Sequence, residues 1–570
     1  MKTSVVYILA ALTASVLAQL SPNCPLLGPV FPSATDLARS NAFQDTANNF
    51  PRVLDSAFAS GLLDNETTSF SISVYSEKRE NPLFSYHFAS PGLNGSLPSG
   101  QLDDDTIYRI GSVTKLLTVY SILAQNGDAD FAKPITDYIP ELKNVTFKDE
   151  IDSVRWSEVT VQSLASHMAG LSRQYSLYDL ATLGGEALGL PTLESSSIPS
   201  CGVVNNNKGL PTCSQTQLIN GLLSQRPLTS TFNTPIYSNS GFALLGWVLE
   251  RITNKTYQDA VQTLLYEPLN LTRSSIVVPD DTTNIITPYG SDSQFSLDLG
   301  GGAAAGAAYS SLADFNRLGR SILSSELLPK ALTRRWMKPL THTSNPLTAV
   351  GAPWEILRYN TPVSAKSNTT RLIDIYGKSG DVGLYSSFIG LDVDHGIGFN
   401  ILVAGNNTTS VRFALAGLIT ESFLPAAEEA AREEANATFS GTYSFAANGQ
   451  NANLTLSVDE QPGLKLELEV NGVNFRTLLA EIYGEAYANA SLRLYPAGLK
   501  DGSKRKMTAV FDPVITGPEY DPFGLSCASW SVVDGLQYGG VGLDEFEVEF
   551  GQDKVESVTA LGLRITLDRI

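Results

Sequence analysis

The sequence has few residues of the kinds that bind metal ions or nucleic acids. Its 570 residues include 4 histidines and 4 cysteines, and neither type shows the close spacing of a zinc site. The 39 lysines and arginines are outnumbered by 58 aspartates and glutamates, which gives a formal net charge of −19. Nucleic-acid phosphates and anionic lipid surfaces repel a chain this acidic. We therefore expect no metal, no cofactor and no nucleic-acid or membrane partner.

Two common catalytic motifs are also missing. No serine stands in a G-x-S-x-G elbow, which argues against an α/β-hydrolase. The glycine-rich residues 299–306 lack the lysine of a phosphate-binding loop and the glycine spacing of a dinucleotide-binding loop. We interpret this glycine-rich stretch as a turn near the wall of an active site.

The chain has no apolar run of the length that crosses a membrane. Near the start, Lys2 precedes a shorter apolar run over residues 5–16, and small residues end at Ala18. This pattern predicts a secretory signal peptide over residues 1–18 and an extracellular location. Sites for N-glycosylation of the N-x-S/T type agree with that route. They lie at Asn65, Asn94, Asn144, Asn254, Asn270, Asn368, Asn406, Asn407, Asn436, Asn453 and Asn489.

The four cysteines of a secreted chain can pair in three ways. Cys201 and Cys213 enclose a short loop rich in glycine, asparagine and proline, which favours a local disulfide between them. Cys24 and Cys527 would then form the second bridge by elimination.

Helices and short strands are both predicted before residue 425. An amphipathic pattern predicts a helix over residues 36–59, and strict alternation predicts a strand over residues 69–75. Between them and a final group of strands at residues 371–404 lies a long irregular insertion, residues 171–233. Irregular stretches of this length are usually lids or binding loops.

The composition changes after residue 424. Residues 425–437 are rich in alanine and glutamate and predict a helix or a linker. From residue 438 onward, short alternating strands between turns predict a small all-β domain, a barrel or a sandwich. We therefore divide the chain into a signal peptide (1–18), an α/β domain (19–424), the linker and a C-terminal β domain (438–570).

The stretch from Tyr108 to Tyr120 carries a serine and a lysine suited to covalent catalysis. A strand is predicted to end at Gly111, and a buried apolar helix is predicted to open at Ser112. Lys115 follows three residues later, so its amine lies on the same helical face as the serine hydroxyl. Burial lowers the pKa of a lysine toward that of a useful base. A nucleophile beside a base is what covalent catalysis needs, and a capping serine with a surface lysine is the alternative.

Two later motifs complete a set of residues for acyl transfer. Tyr237-Ser-Asn239 stands just before a predicted helix, and Lys378-Ser-Gly380 lies between two strand-like runs at the edge of the predicted sheet. The same short patterns recur by chance at residues 487–506, but in another order and without a buried helix. The context of the first set favours function.

Each residue of the first set has a chemical role. Ser112 would attack a carbonyl carbon while Lys115 and Tyr237 relay its proton. Asn239 would hydrogen-bond the acyl side chain, and Lys378 would hold a carboxylate or lower the pKa of Tyr237. The backbone N–H groups of Ser112 and Asp381 would form the oxyanion hole. The predicted substrate-binding residues are Asn239, Lys378, Ser379, Gly380 and Asp381.

The three motifs resemble those of class C β-lactamases and D,D-peptidases, members of the serine β-lactamase superfamily. The stretches at residues 109–115, 137–142, 160–171 and 309–315 also resemble landmarks of the family. The resemblance covers about residues 36–425 and implies an α/β (α+β) fold, an antiparallel sheet flanked by helices beside a helical subdomain. It also implies Ser112 as the acyl-enzyme nucleophile and Lys115 with Tyr237 as the base. The C-terminal domain resembles the lipocalin-like β domain of fungal β-lactamase-related proteins.

The sequence departs from the family pattern in four places. Ser379 replaces the usual threonine but keeps a hydroxyl, and the carboxylate of Asp381 would disfavour anionic substrates. The insertion at residues 171–233 has no clear family counterpart and is expected to reshape the site. No glutamate is placed like the deacylating base of class A enzymes, so we expect a tyrosine-dependent route.

The sequence predicts a secreted serine hydrolase that cleaves an amide or ester through an acyl-enzyme on Ser112. Its substrate would be a small molecule or a peptide: a β-lactam, a peptide or a small ester. Two alternatives stay open, an acyltransferase of secondary metabolism with the same acyl-enzyme and a non-catalytic binding protein. We interpret His167 as a packed helix residue rather than a catalytic base.

Overall fold

The computed structural model describes residues 25–143, 145–176, 179–202, 210–513 and 529–570. The predicted signal peptide, the glycosylation site at Asn144 and the second cysteine pair, Cys24 and Cys527, lie outside these residues. The described chain forms two compact units. The larger unit comprises Ala47–Tyr359 and Asp374–Thr420, and the smaller unit comprises Asn360–Ile373, Glu421–Ile570 and residues up to Thr46.

An eight-stranded antiparallel sheet organises the larger unit. The strands of the unit are β1 (Thr68–Ser76), β2 (Phe84–Phe88), β3 (Tyr108–Arg109), β4 (Tyr309–Ser310), β5 (Thr341–His342), β6 (Thr348–Val350), β7 (Glu355–Pro362), β8 (Thr370–Val382), β9 (Tyr385–Asp392) and β10 (Ile397–Gly405). The order in the sheet is β2-β1-β10-β9-β8-β7-β6-β5, and β3 pairs separately with β4.

Helices cover both faces of this sheet. On one face, Phe58 of the helix Asn41–Ala59 stacks on Phe70 of β1. On the other face, Asn316 of the helix Leu312–Leu323 accepts a hydrogen bond from Ser73 of β1. All nine residues of β1 are therefore buried, because alternate side chains of a strand point to opposite faces. The predicted fold class, an antiparallel sheet flanked by helices, is confirmed.

A helical region follows β3 in the larger unit. Its two longest helices, Thr114–Asn126 and Asn239–Thr253, are buried around much of their circumference, as the apolar pattern predicts. Further α-helices in the described part of this unit are Val161–Ala165, Gln215–Ser224, Tyr257–Val261 with a π-helical turn over Gln262–Tyr266, Ala303–Gly306, Leu312–Leu323 and Lys330–Trp336.

The insertion at residues 171–233 is less irregular than the sequence predicts. It contains the helix Gln215–Ser224, which begins at a capping box formed by Ser214 and Gln217 and buries Leu218 and Leu222. The prediction of an irregular stretch was wrong here, because a capping box and an apolar stripe stabilise this helix. The predicted Cys201–Cys213 disulfide is confirmed.

The smaller unit contains a closed antiparallel barrel of eight strands, which confirms the predicted all-β domain. Each strand pairs with the next one in the chain, and the last strand pairs with the first. The barrel strands are β11 (Gly441–Ala447), β12 (Gln450–Ser457), β13 (Leu464–Val470), β15 (Ser491–Asp501), β16 (Lys504–Asp512), β19 (Glu545–Phe550), β20 (Val555–Ala560) and β21 (Ile565–Arg569), with the short β14 (Val473–Asn474), β17 (Gln537–Tyr538) and β18 (Val541–Gly542) outside it.

One detail of the smaller unit differs from the predicted all-β domain. A helix, Phe475–Tyr483, interrupts the strands and begins at the capping residue Asn474. The predicted linker, residues 425–437, is part of one long helix, Thr408–Phe439.

Two further features concern the described residues only. Among them, no helix combines the length and apolar character of a membrane span. Within the same part of the chain, no group of three or more histidines, cysteines or acidic residues is arranged to hold a metal ion.

Candidate active site

Ser112 and Lys115 lie where β3 leads into the buried helix Thr114–Asn126. The chain turns at Gly111, whose φ of +50° suits glycine, and Ser112 lies in a short 3-10 turn, Gly111–Val113. The α-helix therefore begins two residues later than predicted. Ser112 stays partly exposed, whereas Lys115 is fully buried.

The Lys115 amine is held against the serine hydroxyl. Its Nζ atom donates to Ser112 Oγ at 3.0 Å and to the backbone carbonyl of Ala305 at 2.6 Å. Ala305 belongs to the short helix Ala303–Gly306, which follows a turn over Gly300–Gly302. The glycine-rich stretch thus lies at the site, as the sequence predicts, and supplies a backbone acceptor for Lys115.

The third motif lies within β8 and approaches the Ser112 turn closely. A Cβ atom on Gly380 would lie 2.0 Å from the Ile110 carbonyl oxygen and 2.9 Å from the Ser112 nitrogen, so only glycine fits here. The predicted position between two strands, at the sheet edge, was wrong. The strand continues through Lys378–Gly380, and β8 is an inner strand between β9 and β7.

The backbone of Asp381 also lies beside this turn. A Cβ atom on Gly111 would lie 2.7 Å from the Asp381 nitrogen. The two backbone nitrogens predicted for the oxyanion hole, those of Ser112 and Asp381, therefore lie at the same turn.

Tyr237 stands just before the helix Asn239–Thr253, whose capping residue is Ser238. Its ring is surrounded by cations: the Nζ atoms of Lys115 and Lys378 lie 4.9 Å and 5.3 Å from the ring centre. His167 stacks against the same ring with 4.3 Å between ring centres. The structure thus brings all three predicted motifs together.

The pKa values of Lys115 and Tyr237 converge. Burial lowers the pKa of Lys115 to about 8, with the nearby Lys378 acting in the same direction. Burial alone would raise the pKa of Tyr237, but the charges of Lys115 and Lys378 outweigh it and lower that pKa to about 8. The ammonium and the phenol therefore lose their protons in the same pH range, as an acid–base pair requires.

Lys378 has a partner that the sequence did not reveal. Its Nζ atom lies 2.5 Å from Oε1 of Glu355, at the start of β7. The other carboxylate oxygen of Glu355 accepts from the N–H of Ser379 at 2.9 Å and from its hydroxyl at 2.7 Å. Burial would lower the pKa of Lys378, but Glu355 raises it above its usual value. Lys378 therefore stays charged.

Asn239 is fixed by the first residues of the insertion. Its side-chain amide donates to Oε1 of Gln174 at 2.9 Å, and its backbone N–H donates to the Arg173 carbonyl at 2.7 Å. Arg173 itself is exposed, and its guanidinium carbon lies 5.0 Å from the centre of the Tyr237 ring.

The carboxylate of Asp381 is hydrogen-bonded by three neighbouring side chains. It accepts hydrogen bonds from Thr409 at 2.7 Å and from the buried Arg412 at 3.3 Å, and Ser386 donates to the same group. Its negative charge is therefore compensated at the beginning of the helix Thr408–Phe439.

His167 is a packed residue, as predicted, but it lies beyond the helix expected to contain it. The nearby helix, Val161–Ala165, ends two residues before His167. The His167 Nδ1 atom accepts the backbone N–H of Ser238 at 3.1 Å, which places the proton on Nε2. Burial and the nearby lysines hold the pKa of His167 well below its usual value, so the ring is neutral.

The chance motifs of the C-terminal domain form no comparable site. Lys500 and Asp501 end β15, and Ser503 precedes β16 in the same hairpin. All three residues are exposed. Ser503 therefore has no counterpart among them to the buried base Lys115 beside Ser112.

Sequence reasoning missed four contributors to the site. Glu355 is the first residue of a strand, and no recognisable motif surrounds it. Ala305 contributes a backbone carbonyl, which any residue type could supply, so its role cannot be read from the sequence. Arg173 and Gln174 lie in the insertion treated as irregular, although they follow directly on the predicted landmark at residues 160–171.

An antiparallel sheet covered by helices, a Ser-x-x-Lys turn packed against its inner strand β8, and a closed barrel later in the chain define a β-lactamase-like fold with an appended β domain. Comparison with known families agrees. The β-lactamase family model matches residues 85–422, and a model of the C-terminal domain of β-lactamase-like proteins matches residues 431–570.

The chain is similar to a β-lactamase-like protein of Arthroderma benhamiae, with 30% identity over 98% of this chain and 97% of the relative. It is also similar to a probable hydrolase of a Phoma species, with 25% identity over 89% of this chain and 86% of that protein. A solved D-stereospecific amidohydrolase from Streptomyces is 17% identical, has a TM-score of 0.45, and covers 66% of this chain and 98% of its own. The protein belongs to the β-lactamase family, in a group that includes hydrolases.

Proposed function

We propose that the protein is a serine hydrolase that cleaves an amide or ester through an acyl-enzyme on Ser112. The observation that carries this proposal is the 3.0 Å hydrogen bond from the buried Lys115 to a partly exposed serine hydroxyl. The exposure of the serine lets a substrate reach it, and the lysine beside it can accept its proton.

Acylation would proceed by addition to the substrate carbonyl and then loss of the leaving group. The Ser112 oxygen forms a bond to the substrate carbonyl carbon while its proton passes to the Lys115–Tyr237 pair. The negative charge on the carbonyl oxygen is stabilised by the backbone N–H groups of Ser112 and Asp381. The bond to the leaving amine or alcohol then breaks, and that group takes the proton from the pair.

Deacylation would reverse the same route with water. Tyr237, whose phenolate is stabilised by two lysines, accepts a proton from water as the water oxygen attacks the acyl carbon. The bond to Ser112 breaks, and the serine oxygen regains a proton from the pair. Lys378, held charged by Glu355, keeps the phenolate stable throughout.

Labelling with a fluorophosphonate tests the nucleophile. We expect the label on the peptide that contains Ser112, and no label on that peptide in the Ser112→Ala protein. Ser503→Ala is the matched control, since Ser503 heads the same S-x-x-K pattern in the barrel, and it should label like the unchanged protein. Equal labelling of the Ser112→Ala protein would contradict the proposal.

Hydrolysis is the expected fate of the acyl group. A screen of β-lactams, D-amino-acid peptides and small esters should yield products with water as the only acceptor. Product that forms only when an alcohol or amine is added would favour the acyltransferase alternative.

We also propose that the protein is secreted and glycosylated. The predicted signal peptide carries this proposal, and the exposure of the glycosylation sites supports it. All ten predicted asparagines within the described residues are exposed, as glycan attachment requires.

A further inference from the structure

The insertion places a charged side chain beside the proposed base. Arg173 lies at the start of the insertion, and its backbone carbonyl accepts from the N–H groups of Asn239 and Ser240 at 2.7 Å and 3.3 Å. These bonds fix its backbone over the second motif. Its guanidinium carbon lies 5.0 Å from the Tyr237 ring centre, and the side chain is exposed to an incoming ligand.

The guanidinium of Arg173 is available for a ligand. No described residue forms an ion pair with it or accepts a hydrogen bond from it. Two other cations of the site are already paired, Lys378 with Glu355 and Arg412 with Asp381. Arg173 therefore differs from them in having its donors free.

The charge balance of the site favours an anion. The two ion pairs cancel. Lys115 and Tyr237 together are neutral once they have lost one proton, so the positive charge of Arg173 remains. The sequence suggested that Asp381 would disfavour anionic substrates, but three donors compensate its carboxylate. The site thus presents a net positive charge to the substrate.

The position of Arg173 indicates which part of the substrate it meets. Gln174, the next residue, holds the side-chain amide of Asn239 at 2.9 Å, and Asn239 is the residue assigned to the acyl side chain. In the proposed acyl-enzyme, an acyl side chain that contacts Asn239 would lie near Arg173, whose backbone carbonyl accepts the Asn239 N–H. A planar guanidinium binds a carboxylate through two parallel hydrogen bonds.

We infer that Arg173 is a specificity-determining residue that binds a carboxylate carried by the acyl group of the substrate. The inference rests on the proposed acyl-enzyme at Ser112, because it is that bond which orients the acyl group. It narrows the substrate class to amides and esters of dicarboxylic or acidic acyl groups.

Boronic acids test this inference without knowledge of the natural substrate. Boron accepts a lone pair of the Ser112 oxygen, whose proton passes to the base, so the carbon substituent of boron takes the place of the acyl side chain. The probes are 2-carboxyethylboronic acid and its neutral isostere, 2-carbamoylethylboronic acid. The measured quantity is the ratio of their dissociation constants in the full-length protein.

We expect the carboxylate probe to bind about tenfold more tightly than the amide probe, as one charge-assisted bidentate contact provides. Arg173→Gln should bring the ratio to about one, and Arg173→Lys should keep part of it. Arg226→Gln, which removes an exposed arginine paired with Asp152 elsewhere in the unit, is the matched control and should keep the full ratio. High salt should lower the ratio.

Two results would overturn the inference in different ways. A ratio near one in the unchanged protein, or a full ratio in Arg173→Gln, would show that Arg173 does not select the acyl charge, while Ser112 labelling stays intact. Boronic acids that bind equally well to the Ser112→Ala protein would contradict the proposed acyl-enzyme, and the role of Arg173 would fall with it.

Discussion

Lys115 and Tyr237 both have a pKa of about 8, although burial acts on the two groups in opposite directions. Burial destabilises the ammonium of Lys115, and the positive charge of that ammonium stabilises the phenolate of Tyr237. Below pH 8 both groups are protonated and neither can accept the serine proton. Activity should therefore fall as the pH falls through about 8, the pKa value of both groups.

Lys378 shifts the pKa values of Lys115 and Tyr237, so its removal should shift the pH dependence of kcat/KM. Its charge lowers the pKa of both Lys115 and Tyr237, so Lys378→Ala should raise both pKa values. The rising limb of kcat/KM against pH should shift to higher pH, with Lys378→Arg close to the unchanged protein. An unshifted limb in the alanine variant would mean that Lys378 does not tune the base.

At the scale of elements, the sequence predicted the parts of the site that depend on local pattern. The turn at Gly111, the buried helix after it and the capping of the helix behind Tyr237 all follow from glycine, apolar and Ser–Asn signals. The inner position of β8 could not be predicted, because strand order depends on pairings between distant residues. The pairing of Lys378 with Glu355 was missed for the same reason.

The Cys201–Cys213 disulfide joins two elements that reach the site. The Cys201 carbonyl accepts from Ser176 at 2.7 Å, two residues after Gln174. On the other side, a Cβ atom on Gly300 would lie 2.1 Å from the Thr212 side chain, and the turn that starts at Gly300 leads to the acceptor of Lys115. The bridge thus lies between the segments that position Asn239 and Lys115.

Removal of this disulfide should therefore affect activity as well as stability. The double variant Cys201→Ser, Cys213→Ser should lose about 2–3 kcal/mol of unfolding free energy, as a short closed loop provides. We also expect kcat/KM to fall severalfold at temperatures where circular dichroism shows the variant folded. Full activity in the folded variant would show that the bridge only stabilises the chain.

At the scale of the whole molecule, the two units differ in how well sequence predicts them. The barrel was foreseen as an all-β domain because its strands alternate and pair with their chain neighbours, so local pattern describes most of it. The larger unit is built from strands far apart in sequence: β1 pairs with β10. Its architecture came from the resemblance of its motifs rather than from periodicity.

The proposed secretion and glycosylation concern the whole molecule and can be tested directly. Protein collected from the culture medium of a eukaryotic host should begin at Gln19 and should lose mass on treatment with an N-glycosidase. The exposed asparagines at the predicted sites should then appear as aspartates in peptide maps. Retention inside the cell with residues 1–18 intact would contradict the predicted signal peptide.

The proposed mechanism requires that Ser112 carries the acyl group during turnover. Rapid acid quenching of the full-length protein during turnover of an activated ester, followed by mass spectrometry, tests it most directly. We expect an added acyl mass on the Ser112 peptide that appears before product accumulates and disappears when the ester is exhausted. Turnover with no acyl mass on Ser112, or with the acyl group on another residue, would contradict it.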